Sequence, residues 1–357
     1  MTLKRIALVF GGRSSEHEIS LLSAGNIYKA IDKNKYEVFL IGIDKNGVWS
    51  LQEESIFKTL EEKLPALNKS NQKLVALVKT EQGAAVTGIC GFDFPPVLMD
   101  LAFPALHGPY GEDGTIQGLF KMVDLPFVGP DEKGSALAMD KEVMKRLFRE
   151  ADIPSADYIC VEPGKEQPSY KEAARKLSDT MFIKPARQGS SVGVFKVTGE
   201  RDFLTGLQKA LKYDSKVLIE ECVIGRELEC SVLGNQNPQA SVLGEIIPSE
   251  EYGFYSYEAK YINEKGATLS APAKLDPDLQ RRMQELALRT FKTLYLEGMS
   301  RVDFFLREDG KFLINEVNTI PGFTAISMYP RLWGCSGIDY PDLIDKLLKL
   351  ALERHTS

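Results

Sequence analysis

Residues 300–328 read SRVDFFLREDGKFLINEVNTIPGFTAISM, the pattern of a β-hairpin that feeds a loop rich in reactive side chains. Arg301 to Arg307 is the first arm and Lys311 to Asn318 the second. Asp309-Gly310 between them is a strong two-residue turn signal, since both turn positions need positive φ. A turn at those residues sets Glu308 opposite Lys311, Leu306 opposite Leu313, Asp303 opposite Glu316 and Arg301 opposite Asn318. Two carboxylates facing each other on one sheet face repel, so this register predicts a cation between them. Asp303, Glu316 and Asn318 are hard oxygen donors that suit Mg²⁺ better than Zn²⁺. Mg²⁺ held by one or two carboxylates completes its shell with water and nucleotide phosphates. Phe305 lies on the same face, two residues along, where it can pack under a base. The competing reading is a solvated polar strand end in a hairpin slipped from this register.

Working outward, the region before the hairpin alternates strands and helices. Arg5 to Phe10 is a strand, followed by GGRSSEHEISLLSAGNIYKAI, a Gly-rich turn and an amphipathic helix, which is an α/β opening. Ser15 to Glu18 fits a capping box. Glu16 and Glu18 either cap that helix and complement its dipole, or Glu16 projects from the turn to bind a ligand ammonium. The dinucleotide pattern G-x-G-x-x-G is absent. Tyr36 to Ile43 is a second strand, residues 52–90 read as irregular surface structure, and Val97 to Leu106 reads as one buried strand. His107 at its end lies where open α/β sheets bind ligands. Residues 132–151 read as one helix carrying Lys141. After a strand at 180–185, KPARQGSSVGV (184–194) is a flexible turn. There Ser190 and Ser191 can lay amides on phosphates as an anion-binding nest, with Lys184 adding charge. It is not a Walker A loop. Glu220-Glu221 ends another strand, either as solvated edge charges or as acceptors for an adenine amino group and a ribose. Residues 248–265, with four tyrosines among polar residues, read as a long ordered loop of the functional kind. A helix at 276–297 delivers the chain to Ser300, and another at 338–354 closes it.

Composition excludes several classes. A chain of 357 residues with 43% hydrophobic and 26% charged residues is an ordinary globular composition with room for two or three domains. A net charge of −6 argues against a nucleic-acid partner. Cys90, Cys160, Cys222, Cys230 and Cys335 are odd in number and lack CxxC spacing, which points to reduced thiols in the cytoplasm. His17, His107 and His355 are too few and too scattered for a histidine-rich metal site. No apolar run approaches the ~18–20 residues of a membrane helix, and the apolar start is too short for a signal peptide.

Several blocks in fixed order, GGxSxEHEISLxSA, LHGxxGEDG, MDK, KPxxxGSSVG, FYxYEAKY, RVDF and NEVNTxPGxTxxSM, resemble the D-alanine–D-alanine ligases of the ATP-grasp superfamily. The resemblance covers nearly the whole chain and is weakest at 52–90. It implies an α/β ATP-grasp fold of three domains: 1–129 binding the first D-alanine, 130–228 as the central subdomain, and 229–357 as the C-terminal subdomain with lid loop 248–265 and the metal site. The nucleotide is expected between the last two.

By motif, Lys141, Lys184 and Ser191 resemble the phosphate-binding groups, Glu220 and Glu227 the adenine and ribose acceptors, and Lys260 the loop lysine near the γ-phosphate. Asp303, Glu316 and Asn318 resemble the ligands of two Mg²⁺ ions, for which Mn²⁺ is an alternative. Glu16 resembles the carboxylate that takes the first D-alanine's ammonium, with Ser190 and Tyr261 in the network that ties the lid. His107 is expected near the first substrate, and Ser327 and the Met328 amide at the second substrate's carboxylate. Arg301 and the Gly322 amide resemble the oxyanion stabilisers. Tyr261 implies a dipeptide product, since relatives that make D-alanyl-D-lactate lack it. The resemblance further implies ATP and D-alanine as substrates, a homodimer, and no nucleic-acid or membrane partner. Alternatives are a ligase for D-lactate or D-serine, a catalytically silent nucleotide-binding relative, and a dinucleotide-dependent enzyme.

Overall fold

The computed structural model describes residues 3–58, 65–68, 73–248 and 266–356. The first part of the chain runs β1 (Lys4–Gly11), α1 (His17–Ala30), β2 (Tyr36–Ile43), β3 (Trp49–Gln52), β4 (Val75–Thr80), β5 (Gly83–Gly88), β6 (Val97–Leu98), β7 (Leu101–Ala105) and α2 (Thr115–Met122). It builds a sheet of order β3-β2-β1-β7 and a small sheet β4-β5-β6. β1 is parallel to both neighbours. It is apolar on both faces because both are covered. Ile6, Leu8 and Phe10 enter one core with α1, while Ala7 and Val9 enter a second with Ile116 and Phe120 of α2.

Two expectations fail here for identifiable reasons. Residues 52–90, expected to be irregular, contain the β4–β5 hairpin, paired from Val75↔Gly88 to Thr80↔Gly83; its small and polar residues weaken the apolar alternation. The expected strand 97–106 is two strands in different sheets. The Met99 amide bonds Ala84 of the small sheet and the Asp100 amide bonds Arg5 of the large one, so the chain changes sheets between them.

The middle runs α3 (Glu132–Met139), α4 (Lys141–Glu150), β8 (Tyr158–Val161), α5 (Tyr170–Lys176), β9 (Thr180–Pro185), β10 (Phe195–Thr198), α6 (Glu200–Ala210) and β11 (Val217–Glu221). The expected single helix 132–151 breaks at Asp140, whose extended backbone and side-chain oxygen, accepting from the Glu142 and Val143 amides, restart the chain as α4. A capped restart satisfies amides that a new helix otherwise leaves open. The third sheet, β10-β9-β11-β8, is antiparallel. One face packs Ile183, Val197, Val217 and Ile219 on Phe203 and Leu207 of α6.

The last part runs β12 (Arg226–Gly234), β13 (Gln239–Pro248), β14 (Ala267–Ser270), α7 (Pro277–Thr293), β15 (Gly298–Leu306), β16 (Phe312–Asn318), α8 (Met328–Cys335) and α9 (Tyr340–Thr356). The fourth sheet is β14-β13-β12-β15-β16. β12 begins at Arg226, so the expected boundary at 228/229 falls inside a strand. Leu228, Cys230 and Val232 of β12 and Val302, Phe304 and Leu306 of β15 pack on α7. Strand alternation then turns Glu227, Glu229, Arg301, Asp303 and Phe305 to the opposite face.

The opening hairpin has the expected pairs at its functional end and different ones at its turn. Arg301↔Asn318 and Asp303↔Glu316 pair as expected, but Phe305 faces Leu313 and Leu306 faces Phe312. The turn takes three residues, because Arg307 N bonds Lys311 O and Gly310, at φ 78°, donates to Arg307 O. A register shift between Asp303 and Phe304 leaves Asn315 as a bulge on β16 and makes up the difference.

Candidate active site

The inward faces of the third and fourth sheets bound a cavity of about 930 Å³ with its open mouth. The third sheet contributes Phe182, Lys184 and Glu220; the fourth contributes Glu227, Glu229, Asp303 and Phe305; Lys141 and Ser191 lie at its edge. The expected phosphate and base residues therefore converge here with Asp303 and Glu316, while Asn318 lines a second cavity; Lys260, with Tyr261 and residues 249–265 of the expected lid, lies outside the described residues.

Charges are paired across this cavity. Glu220 is 3% exposed and receives Lys184 Nζ at 2.8 Å and Lys145 Nζ at 3.0 Å. Burial pushes its pKa up, but the two ammonium groups outweigh that and hold it below 4.5. Burial drives Lys145 below its ordinary value despite this partner. Lys141, at the first turn of α4, donates to Gln188 O at 2.7 Å and lies 3.6 Å from Glu316.

Asp303 accepts from Arg301 Nε and Nη2, each at 2.7 Å, and from Asn318 Nδ2 at 2.9 Å. Glu229 Oε2 is 3.1 Å from Arg301 Nε. Burial opposes the Arg301 charge, yet Asp303 and Glu229 raise its pKa well above the ordinary value. Three carboxylates here meet two cationic side chains, Arg301 and Lys141, leaving net negative charge among hard oxygen donors. Among the described residues no group of three His, Cys, Asp or Glu closes on a metal. Asp303, Glu316 and the Asn318 amide instead fit an open shell, of the kind that phosphate and water oxygens complete for Mg²⁺.

A second cavity, about 1810 Å³ with its open mouth, carries Glu16, His107, Ser190, Arg301, Gly322, Ser327 and Met328. It shares Glu229, Ile246 and Glu316 with the first, so the two form one cleft. The expected Ser15–Glu18 capping box does not form: Glu16 is the N-cap of α1, with no side-chain hydrogen bond to the cap. Instead its carboxylate accepts the Ser190 hydroxyl across 174 positions of sequence. Glu16 is wedged between two glycines. A Cβ on Gly108 would stand 2.8 Å from Glu16 Oε2 and one on Gly189 3.2 Å from it. Ser190 and Ser191 both adopt left-handed φ, 49° and 58°, a conformation that non-glycine residues hold only when their surroundings enforce it.

His107 is 4% exposed and bonds Ser23 Oγ and Ile320 O, each at 2.9 Å. Burial pushes its pKa down. Ser327 Oγ accepts the Thr324 amide at 2.9 Å and would lie 2.7 Å from a Cβ on Gly322. Met328 opens α8, whose first amides face outward as helix starts do. Glu112 accepts from the Gly108 and Ile320 amides at 2.8 and 3.0 Å. Burial, reinforced by Glu16, pushes its carboxyl up to about 7.

Sequence reasoning passed over Glu112, Glu229 and Lys145. Each left a signal: Glu112 lies inside the LHGPYGEDG block, Glu229 follows Glu227 by one strand period, and Lys145 follows Lys141 by one helical turn.

Known proteins resemble this chain in sequence and fold. Residues 5–130 match the family described as D-ala D-ala ligase N-terminus, and residues 147–349 the one described as D-ala D-ala ligase C-terminus. A D-alanine–D-alanine ligase of Shouchella clausii is 50% identical over 359 residues, covering 99% of this chain and 96% of its own length. The D-alanine–D-alanine ligase A of Escherichia coli K12 is 44% identical, covering 99% of this chain and 97% of its own. Among solved structures, the D-alanine–D-alanine ligase of Coxiella burnetii superposes with a TM-score of 0.87 at 33% identity, covering 100% of this chain and 96% of that one. The VanG D-Ala:D-Ser ligase of Enterococcus faecalis superposes with a TM-score of 0.85 at 35% identity, covering 98% and 100%.

Proposed function

The chain belongs to the D-alanine–D-alanine ligase family, and from that premise we propose that it joins two D-alanines into D-alanyl-D-alanine at the expense of ATP. The observation that carries this reading is the single cleft: the nucleotide cavity opens into the second cavity at Glu229 and Glu316, beside Arg301. A free carboxylate is a poor electrophile, so the first D-alanine is activated by phosphorylation.

Lys141, Lys184 and Ser191 hold the nucleotide phosphates, Glu220 and Glu227 receive the adenine and ribose, and Phe305 packs on the base. For Lys184 and Glu220 this requires loosening the ion pair they now make with each other. Asp303, Glu316 and Asn318 would hold Mg²⁺ or Mn²⁺, two ions by family resemblance, which when bound neutralises charge on the transferring phosphoryl group. Glu16, steadied by Ser190, takes the ammonium of the first D-alanine, and His107 stands nearby. Ser327 and the Met328 amide at the start of α8 take the carboxylate of the second, as helix N-termini do. Its amine, once deprotonated, attacks the acyl phosphate. Arg301 and the Gly322 amide stabilise the resulting oxyanion, and phosphate leaves. The expected roles of Lys260 beside the γ-phosphate and of Tyr261 in the network with Glu16 and Ser190, on the expected lid loop 248–265, belong to the same reading and fall outside the described residues.

The division into 1–129, a central part and a C-terminal part belongs to the same reading, with the second boundary moved before β12. So do a homodimeric state, a cytoplasmic location and a role in supplying peptidoglycan precursors. Among the described residues no helix is long and apolar enough to cross a membrane.

The test is ADP release with Mg²⁺ and D-alanine, L-alanine, D-serine, or D-alanine plus D-lactate, with products identified by mass. Turnover on D-alanine with D-alanyl-D-alanine as product is expected. A mixed D-alanyl-D-lactate product at neutral pH would remove the specificity assigned to Tyr261. No ADP with any of them, despite Mg-ATP binding, would overturn the ligase reading.

A further inference from the structure

The loop carrying Gly322 follows β16 in the last part of the chain, but most of the groups that hold it come from the first part. The Ile320 amide donates to Glu112 at 3.0 Å, and the Ile320 carbonyl accepts from His107 Nδ1 at 2.9 Å. The Phe323 amide donates to Ser23 Oγ at 3.2 Å. The Phe323 carbonyl accepts from Asn26 Nδ2 at 3.2 Å and from the Tyr340 hydroxyl at 2.7 Å. Pro321 has no amide hydrogen. Within residues 320–323, Gly322 is therefore left as the one N–H that bonds nothing among the described residues.

The chemistry also fixes proton positions. A carbonyl only accepts, so His107 carries its proton on Nδ1 and its Nε2 accepts from the Ser23 hydroxyl. The Ser23 oxygen then accepts the Phe323 N–H, and the relay is complete with a neutral imidazole. Ser23 is 0% and His107 4% exposed, so neither can trade these partners for water.

We infer that Ser23, His107 and Glu112 are positioning residues for amide-bond formation, holding the peptides on either side of Gly322 so that its N–H alone points at the developing oxyanion. The inference rests on the ligase reading and refines it. It gives the His107 ring a task in the backbone of the oxyanion loop, whichever substrate lies beside it. It also splits the reaction. Phosphorylation of the first carboxylate does not use the Gly322 amide, whereas attack by the second amine does.

The experiment uses the full-length protein with Mg-ATP and D-alanine and two variants, Ser23→Ala and Glu112→Gln. Ser23→Ala removes the relay without adding bulk inside α1, and Glu112→Gln keeps the shape while one of its two former acceptor atoms becomes a donor facing an amide. Melting curves establish that each variant folds. Dipeptide formation reports the whole reaction. Exchange of ¹⁸O between the bridging and non-bridging positions of the ATP β-phosphate, in the presence of D-alanine, reports formation and reversal of the acyl phosphate alone. Dipeptide formation is expected to fall about 10- to 100-fold, as for a catalytic group displaced by a fraction of an ångström to an ångström, while isotope exchange and the KM for ATP stay within about twofold. Parallel loss of both signals, or unchanged dipeptide formation in both variants, would overturn the assignment. A wild-type protein that neither exchanges oxygen nor forms dipeptide would remove the ligase reading, and this inference with it, a result distinct from variants that fail alone.

Discussion

At the proposed nucleotide end of the cleft, charged side chain meets charged side chain: Lys184 and Lys145 on Glu220, Lys141 near Glu316, Arg301 between Asp303 and Glu229. At the proposed amino-acid end, beside the Ser190–Glu16 and Ser23–His107 bonds, side chains meet backbone: Glu112 on the Gly108 and Ile320 amides, Ser23 on Phe323, His107 on Ile320. The first kind of contact can be exchanged for a charged ligand, because a phosphate or a cation replaces one partner of an ion pair with another. The second kind fixes the chain itself and leaves a few groups, the Gly322 amide among them, for the substrate. One end is thus built to be rearranged by binding and the other to resist it.

Substitutions can break that contrast. The largest effect is expected at Arg301, where the two ends meet. Arg301→Ala removes the proposed oxyanion donor and should lower dipeptide formation by roughly 100- to 1000-fold; near-normal turnover in steady-state assays would refute the role. Next is Lys145→Met, which takes one of two cations from buried Glu220. Breaking a buried pair costs about 3–5 kcal/mol, and the remaining Lys184 should hold the loss near the lower figure, read from urea unfolding. A loss below about 1 kcal/mol would mean that the Lys145 pair behaves like a surface one.

The third effect is a pH slope. The Glu112 carboxyl is raised in the folded protein from the ordinary 4.5 to about 7, so between those values the folded state binds more protons than the unfolded. Its stabilising contribution is complete below pH 4.5 and fades as pH rises to about 7. Glu112→Gln should flatten the fall in stability over that window, and parallel curves for variant and wild type would show that Glu112 does not titrate there. The smallest effect is at Arg307, whose pair with Glu221 joins the third and fourth sheets at 3.0 Å but is 36% and 21% exposed. Arg307→Ala should change stability by less than about 1 kcal/mol.

The same contrast decides what could be read in the sequence. Charged residues at a cleft stand out against apolar strands, and the pairing of Asp303 with Glu316 follows from local spacing. That pairing is right even though the expected turn is one residue too short, because the bulge at Asn315 offsets the longer turn. Backbone-holding groups leave no such mark. Ser23 meets Phe323 across 300 positions and Glu112 meets Ile320 across 208, and nothing in a serine within a helix announces a distant amide. The changes of direction at Met99-Asp100 and Asp140 were hidden for the same reason: the apolar run 97–106 continues unbroken while its hydrogen-bond partners change sheet, and an aspartate within a helical pattern looks solvated until its side chain is seen capping the next helix.

The bulge at Asn315 has a mechanical meaning as well. Up to Ile314 the strand β16 turns its Phe312 and Ile314 to the core beneath α7, and the Ile314 amide is bolted to Pro154 O at 2.8 Å. Beyond it, Val317 takes the core side while Glu316 and Asn318 take the cleft. Regular alternation would put Ile314 and Glu316 on one side of the sheet. Asn315 is therefore a phase break, dividing one strand into a half that answers to packing and a half that answers to ligands. Like a knuckle in a linkage, it joins the half anchored by Phe312 and Ile314 to the half that presents Glu316 and Asn318 to the cleft.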